Sequence, residues 1–158
     1  MTVDDLLALE EIRNLRHGYA AHLDAQDLDA LVELFTEDAT CEFGHYGTWA
    51  GRETIRNNYA AVIQALGRPF DAMHVVTNPW VRLTGPDTAR GRWYLIDLLP
   101  IQHPETGFAS RGGHDNPLLY LGIYEDDYRK VGGRWKIAAV KLHFLWPQHA
   151  FEGLRHPR

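Results

Sequence analysis

The feature that most constrains this chain is a change of period near Asp71. Ahead of it, apolar residues recur every three or four positions; beyond it they alternate, and the alternation persists to Trp146. The first spacing marks one face of a helix and the second a half-buried strand. Ile12, Leu15, Tyr19 and His22 form one stripe of a first helix, which opens on a Thr2–Asp5 capping box and closes near Leu23–Asp24. DLDALVELF predicts a short second helix with Asp27 as its N-cap and Leu28, Leu31, Leu34 and Phe35 inward. After the polar break TEDA, the segment ATCEFG is a short strand candidate, and HYGTWAG turns through two glycines. Ile55, Tyr59, Val62 and Leu66 stripe a third helix over 52–66, stopped by Gly67 with Pro69 beyond.

Strands are predicted at 71–84, 88–101, 118–130 and 135–146, with LTGPDTA and VGGRW as the tight connections. A long loop from Gln102 to Pro117 joins the middle pair. Helices followed by long strands imply an α+β fold, a curved antiparallel sheet packed against three N-terminal helices around a cavity. At 158 residues, with no repeat or linker, the chain is expected to be a single domain over 1–158. Its last stretch, 147–158, is a tail expected to fold back over the cavity mouth or a neighbouring subunit through Phe151.

Composition narrows the function classes. A formal charge of -5 offers no attractive field to nucleic acid or an anionic membrane. No run approaches the roughly 20 apolar residues of a membrane span, and the acidic N-terminus does not resemble a signal peptide. The single cysteine, Cys41, cannot form an intrachain disulfide, so a reducing, cytoplasmic setting is expected and the thiol itself is read as buried and inert. No His or Cys pair has zinc spacing: His103 and His114 fall in the long loop and His143 on the last strand. DAQDLDA lacks the glycine and terminal glutamate of a calcium loop. Neither a metal nor a cofactor is expected.

The stretch FDAMHVVTNPW poses the functional question, because it is a strand that carries an imidazole. Burying an unpaired polar ring costs free energy, so His74 needs a partner. Alternation places Ala72, His74, Val76 and Asn78 on one face, and Tyr19 on the first helix points at the same sheet. Asp24, five residues after Tyr19, closes that helix at the mouth of the cavity. Asp97 alternates with Trp93 and Leu95 and is a second candidate for the cavity wall, with Tyr59 and Phe144 as further lining residues. A carboxylate on one ring nitrogen fixes the tautomer of a histidine and leaves the other nitrogen as base. The same residues also admit a structural reading, with His74 packed against backbone, Asp24 ending a helix and Tyr19 filling core.

The helix IRNLRHGYAAHLDAQDLDALVELFTEDA, the strand start MHVVTN and the ending YEDDYRKVGGRWKIAAVKLHFLWP resemble the SnoaL-like branch of the nuclear transport factor 2-like superfamily. These segments span most of the chain. The resemblance implies a cone-shaped fold and relatives such as scytalone dehydratase, bile acid dehydratase and hexachlorocyclohexane dehydrochlorinase, cofactor-free lyases that use a His/Asp pair. By position, Asp24 and His74 match that pair, and Tyr19 matches the tyrosine of the bile acid enzyme. One departure stands out: where the dehydrochlorinase has a basic residue on the last strand, this chain has Val140, with Lys141 pointing the other way.

The expected function is therefore a cofactor-independent lyase, a dehydratase acting on a hydrophobic cyclic hydroxy-ketone or similar metabolite. The alternatives are a ketosteroid-type isomerase, using Asp97 and Tyr19, and a non-catalytic binding or accessory subunit. A small hydrophobic molecule is the expected partner. Apolar residues on both faces of 118–146 further suggest a homo-oligomer, which the resemblance tilts to a trimer over a dimer.

Overall fold

In the computed structural model, which describes residues 1–66, 72–98 and 119–146, Thr2 opens the first helix, α1 (Val3–Asp24), with a complete capping box. The Asp5 N–H donates to Thr2 Oγ1 at 3.1 Å and the Thr2 N–H donates to Asp5 Oδ2 at 2.6 Å. The face that α1 buries carries Ile12, Arg16, Tyr19, Ala20 and Leu23. Asp27 then caps α2 (Leu28–Glu33) by accepting from the Ala30 N–H at 3.0 Å. The helix ends sooner than its apolar spacing predicts, because Phe35 already belongs to β1 (Phe35–Glu42). The polar residues of TEDA are thus strand residues: Glu37 and Asp38 point outward, where they pair with Arg52 and Arg129.

The glycine-flanked turn contains one short 3-10 turn (Gly44–Tyr46) and a three-residue strand, β2 (Thr48–Ala50), too short for periodicity to reveal. Helix α3 follows at Arg52–Leu66, then four long strands: β3 (Met73–Gly85), β4 (Thr88–Leu98), β5 (Leu119–Val131) and β6 (Arg134–Trp146). The helix stop at Gly67, the loop from Gln102 to Pro117, His103, His114 and the 147–158 tail lie outside the described residues.

The six strands form one sheet in the order β2-β1-β6-β5-β4-β3. All neighbours are antiparallel except β1 and β6, which run parallel with Cys41 opposite Val140. The sheet is therefore mixed and not wholly antiparallel. Its parallel pair starts where the Ile137 N–H donates to the carbonyl of Leu34 at 2.8 Å, immediately after α2. The concave face buries Ala39 and Cys41 from β1, Trp93 and Leu95 from β4, Tyr124 and Tyr128 from β5 and Ile137 and Val140 from β6. Helix α1 lies over β3 and α3 over β1, closing that face. Burying a side chain of this size stabilises by roughly 1.5–3 kcal/mol, so the helix-covered face carries the fold.

The convex face differs from expectation. On β5 and β6 it presents Glu125, Asp127, Lys141 and His143, with Lys141 paired to Glu42 and His143 to Glu125. The exposed apolar side chains lie instead on β3 and β4. Met73 sits opposite Leu98 and Thr77 opposite Tyr94, and Met73 (56%), Val75 (36%), Tyr94 (44%) and Leu98 (38%) remain solvent-accessible. Among the described residues, no helix is long and apolar enough to cross a membrane.

Candidate active site

Between the helices and the concave face lies a cavity of about 100 Å³. Phe43, Tyr46, Trp49, Tyr59, Tyr120 and Phe144 supply aromatic wall, several of them packed edge to face: Trp49 lies 4.8 Å from Phe43 and 5.1 Å from Tyr59 between ring centroids. Such geometry lets the positive edge of one ring meet the negative face of the next, which stiffens the wall. Polar groups reach this apolar space at His74, Asp97 and the hydroxyls of the lining tyrosines.

His74 is held from two directions by one carboxylate. Its Nδ1 lies 2.5 Å from Asp24 Oδ1, and its own backbone N–H donates to both Asp24 oxygens at 3.1 and 3.2 Å. Asp24 can do this because it is the last residue of α1, where its side chain leaves the helix and meets the first turn of β3. An ionised carboxylate only accepts, so Nδ1 carries a proton, and in the neutral imidazole Nε2 keeps its lone pair. Nε2 sits 3.8 Å from Asp97 Oδ1, beyond direct hydrogen-bond length. Asp97 is brought there by register, since it is the cross-strand neighbour of His74 in the β3–β4 pair. The side chains of His74, Asp24 and Asp97 keep 11%, 26% and 17% of their accessibility, so all three are partly exposed.

Tyr19 belongs to the same cavity. Its hydroxyl meets that of Tyr59 at 2.5 Å, one from α1 and one from α3. Burial, by penalising the phenolate, pushes both phenols well above their ordinary range. Both therefore stay protonated at neutral pH. In such a pair one hydroxyl donates to the other, and the acceptor's own hydrogen remains for a guest.

Five of the eight anticipated site residues line the cavity, Tyr19, Tyr59, His74, Asp97 and Phe144, and a sixth, Asp24, is tied to it through its bond to His74. Two lie elsewhere. Asn78 sits in a bulge between Thr77 and Trp80 with φ 51°, exposed, its Oδ1 accepting from Thr77 Oγ1 at 3.1 Å. The extra residue breaks the alternation that would have continued the Ala72–His74–Val76 face, and asparagine tolerates the left-handed backbone. Trp93 does lie on the concave face with Leu95 and Asp97, but beneath α1 and outside the cavity. Its ring meets His17 edge-on at 5.9 Å and its Nε1–H donates to the Tyr128 hydroxyl at 3.0 Å. Tyr120 and Tyr124 went unanticipated as lining residues, although the alternating series Tyr120, Gly122, Tyr124, Asp126, Tyr128 places them inward together. Among the described residues, no group of three or more His, Cys, Asp or Glu is placed to hold a metal ion.

Comparison with known proteins agrees with this architecture. No functionally curated protein matches the sequence. The solved structure of hexachlorocyclohexane dehydrochlorinase LinA-type3 from Novosphingobium barchaimii superposes with a TM-score of 0.76 at 19% identity, covering 91% of this chain and 90% of that one. A protein provisionally described as a scytalone dehydratase, from Novosphingobium aromaticivorans, gives 0.74 at 21% identity over 91% and 88%. An NTF2-like protein with a cystatin-like fold from the same organism gives 0.68 at 21% over 91% and 84%. At these identities the likeness is one of fold. The model of the SnoaL-like domain matches residues 4–141, nearly nine-tenths of the sequence, and the chain belongs to that family.

Proposed function

We propose that this protein is a cofactor-independent lyase of the dehydratase type, acting on a small, neutral, ring-containing hydroxy-ketone or similar compound. The observation that carries this reading is the 2.5 Å bond from His74 Nδ1 to Asp24 on a cavity wall, with Nε2 left to the cavity. A base so oriented removes a proton next to a carbonyl; Asp24 stabilises the imidazolium that results. The Tyr19–Tyr59 pair donates to the carbonyl oxygen as it gains charge, and the β-hydroxyl then departs with the proton held on His74. The cavity of about 100 Å³ limits the guest to no more than about one ring, since a dry cavity of about 150 Å³ takes benzene.

Asp97 supports a second reading. Its carboxylate, 3.8 Å from His74 Nε2, is close enough to share a proton that is moved from one carbon to another, as an isomerase requires. Product analysis separates the two, since loss of water changes mass and isomerisation does not. A non-catalytic binding role predicts ligand affinity without turnover. The test is turnover of His74→Gln, Asp24→Asn and Tyr19→Phe against a panel of cyclic hydroxy-ketones. A His74→Gln protein working at the parent rate would end the base assignment. The exposed apolar patch on β3–β4 supports a homo-oligomer, trimer or dimer, in the same reading. Sedimentation as a lone 18.1 kDa species at micromolar concentration would defeat that part.

A further inference from the structure

Behind the cavity wall α1 buries a charged residue. Arg16 is fully buried, its guanidinium carbon 3.7 Å from the Tyr124 ring centroid and 4.2 Å from that of Tyr19. Its Nε lies 3.5 Å from Asp126 Oδ2, which accepts from the Tyr128 hydroxyl at 2.6 Å. Among the described residues, none of the three guanidinium nitrogens makes a hydrogen bond, and neither does Asp126 Oδ1.

An ion pair this long and this dry is poor support for a fold, because desolvating both ions opposes their attraction and an apolar pair of similar volume would serve as well. Nor is Arg16 acting as a donor. What it touches are two aromatic faces, and both belong to tyrosines that line the cavity. A cation against a phenol ring draws electron density from it, which makes the hydroxyl a stronger donor and the oxygen a better bearer of charge. The Tyr19 hydroxyl meets that of Tyr59 at 2.5 Å, and the Tyr19 ring packs edge to face on that of Tyr124 at 6.2 Å between centroids. One buried cation thus underlies two phenol rings, and through the Tyr19 hydroxyl it is linked to a third phenol, Tyr59.

We propose that Arg16 is a positioning residue for this phenol cluster: it fixes the rings of Tyr19 and Tyr124 and biases the joined hydroxyls of Tyr19 and Tyr59, with that of Tyr124 beside them on the cavity wall, to receive a negatively charged substrate oxygen. The proposal rests on the reading of Tyr19 as the donor in the reaction above. Burial raises all three phenols, and in each the Arg16 charge works against that rise.

The test uses two probes of one shape, 4-nitrophenol at a pH where it is half-ionised in solution and 4-nitrotoluene, which cannot ionise. Absorbance reads bound phenolate directly. The unmodified protein should favour the phenolate over the toluene. Replacing both ions with apolar residues, Arg16→Met with Asp126→Leu, should leave a folded protein whose preference falls about tenfold. Asp126→Asn, which removes the counter-charge and keeps Arg16, should move the preference the other way. A merely structural pair would shift the melting temperature and leave the ratio alone. A ratio within about twofold of the parent in both variants overturns the role of Arg16. If the double variant does not fold, Asp126→Asn decides alone, and an unchanged or lowered ratio overturns it. Should the unmodified protein show no phenolate preference, the donor assignment of Tyr19 falls with it, while the His74 base is untouched.

Discussion

Two of the acid–cation pairs of this molecule share helix α1 and behave as opposites. Asp24 and His74 meet at 2.5 Å, partly exposed, at the end of α1 where the side chain leaves the helix. Asp126 and Arg16 lie 3.5 Å apart with no exposure, under the helix middle. Histidine can take and release a proton near neutral pH, whereas a guanidinium cannot. The first pair therefore suits a proton in transit and the second a charge that never moves. What separates them is position along one helix: a terminal residue can reach into a cavity, while a mid-helix residue facing the sheet is sealed.

The largest effect expected from this contrast is kinetic. His74→Gln should lower turnover by on the order of 10²–10⁴-fold with little change in melting temperature, and Asp24→Asn should cost a comparable factor through loss of tautomer control. Arg16→Met alone should do the reverse, costing about 3–5 kcal/mol of stability because Asp126 is left buried without its counter-charge. If His74→Gln melts as low as Arg16→Met, the contrast is wrong and His74 is a packing residue. Gly122→Ala should cost about 1–3 kcal/mol, since a Cβ there would stand 2.7 Å from Leu142 Cδ1, on the cavity wall, and 3.1 Å from the backbone oxygen of His143, which cannot turn aside. Chemical denaturation at fixed temperature measures both.

Alkali probes the sealed side. Burial raises Tyr19, Tyr59, Tyr124 and Tyr128 above the ordinary value of 10.0. An acid raised on folding contributes stability that is complete below its unfolded pKa and is lost as pH climbs through its folded one. Denaturation midpoints should therefore hold at neutral pH and fall as pH rises above about 10. A flat midpoint there would mean that the phenols ionise freely. The smallest effect concerns Cys41, whose thiol burial pushes up to about 12. It should resist alkylation at neutral pH in the folded protein and react once unfolded; labelling followed by mass measurement decides it.

Much of this was legible in the residues. The change of period at Asp71 specifies helices against long strands, and His74 in an apolar strand demanded a partner that Asp24 supplies. Asp97 was open to inference because alternation along β4 carries it inward. What escaped was set by backbone geometry or by long-range pairing. The bulge at Asn78 has no signature in a two-residue period, and the parallel β1–β6 pair depends on residues about a hundred positions apart. Arg16 sits on the buried stripe of α1 between Ile12 and Tyr19, where a helical pattern passes over a charge. The convex apolar patch was misplaced because runs such as Ile137–Val140 cross a register shift and send their larger residues inward.

The parallel β1–β6 pair bears on how the chain is made. A ribosome releases β1 long before β6, and until then β1 can pair only with β2. Two central strand edges, of β1 and of β5, wait open for the last strand, and open edges recruit other chains. The wall residues Leu142 and Phe144 also arrive with β6, so no nascent intermediate holds a finished cavity. A chain of this design should fold late, slowly and best with a chaperone near the exit tunnel.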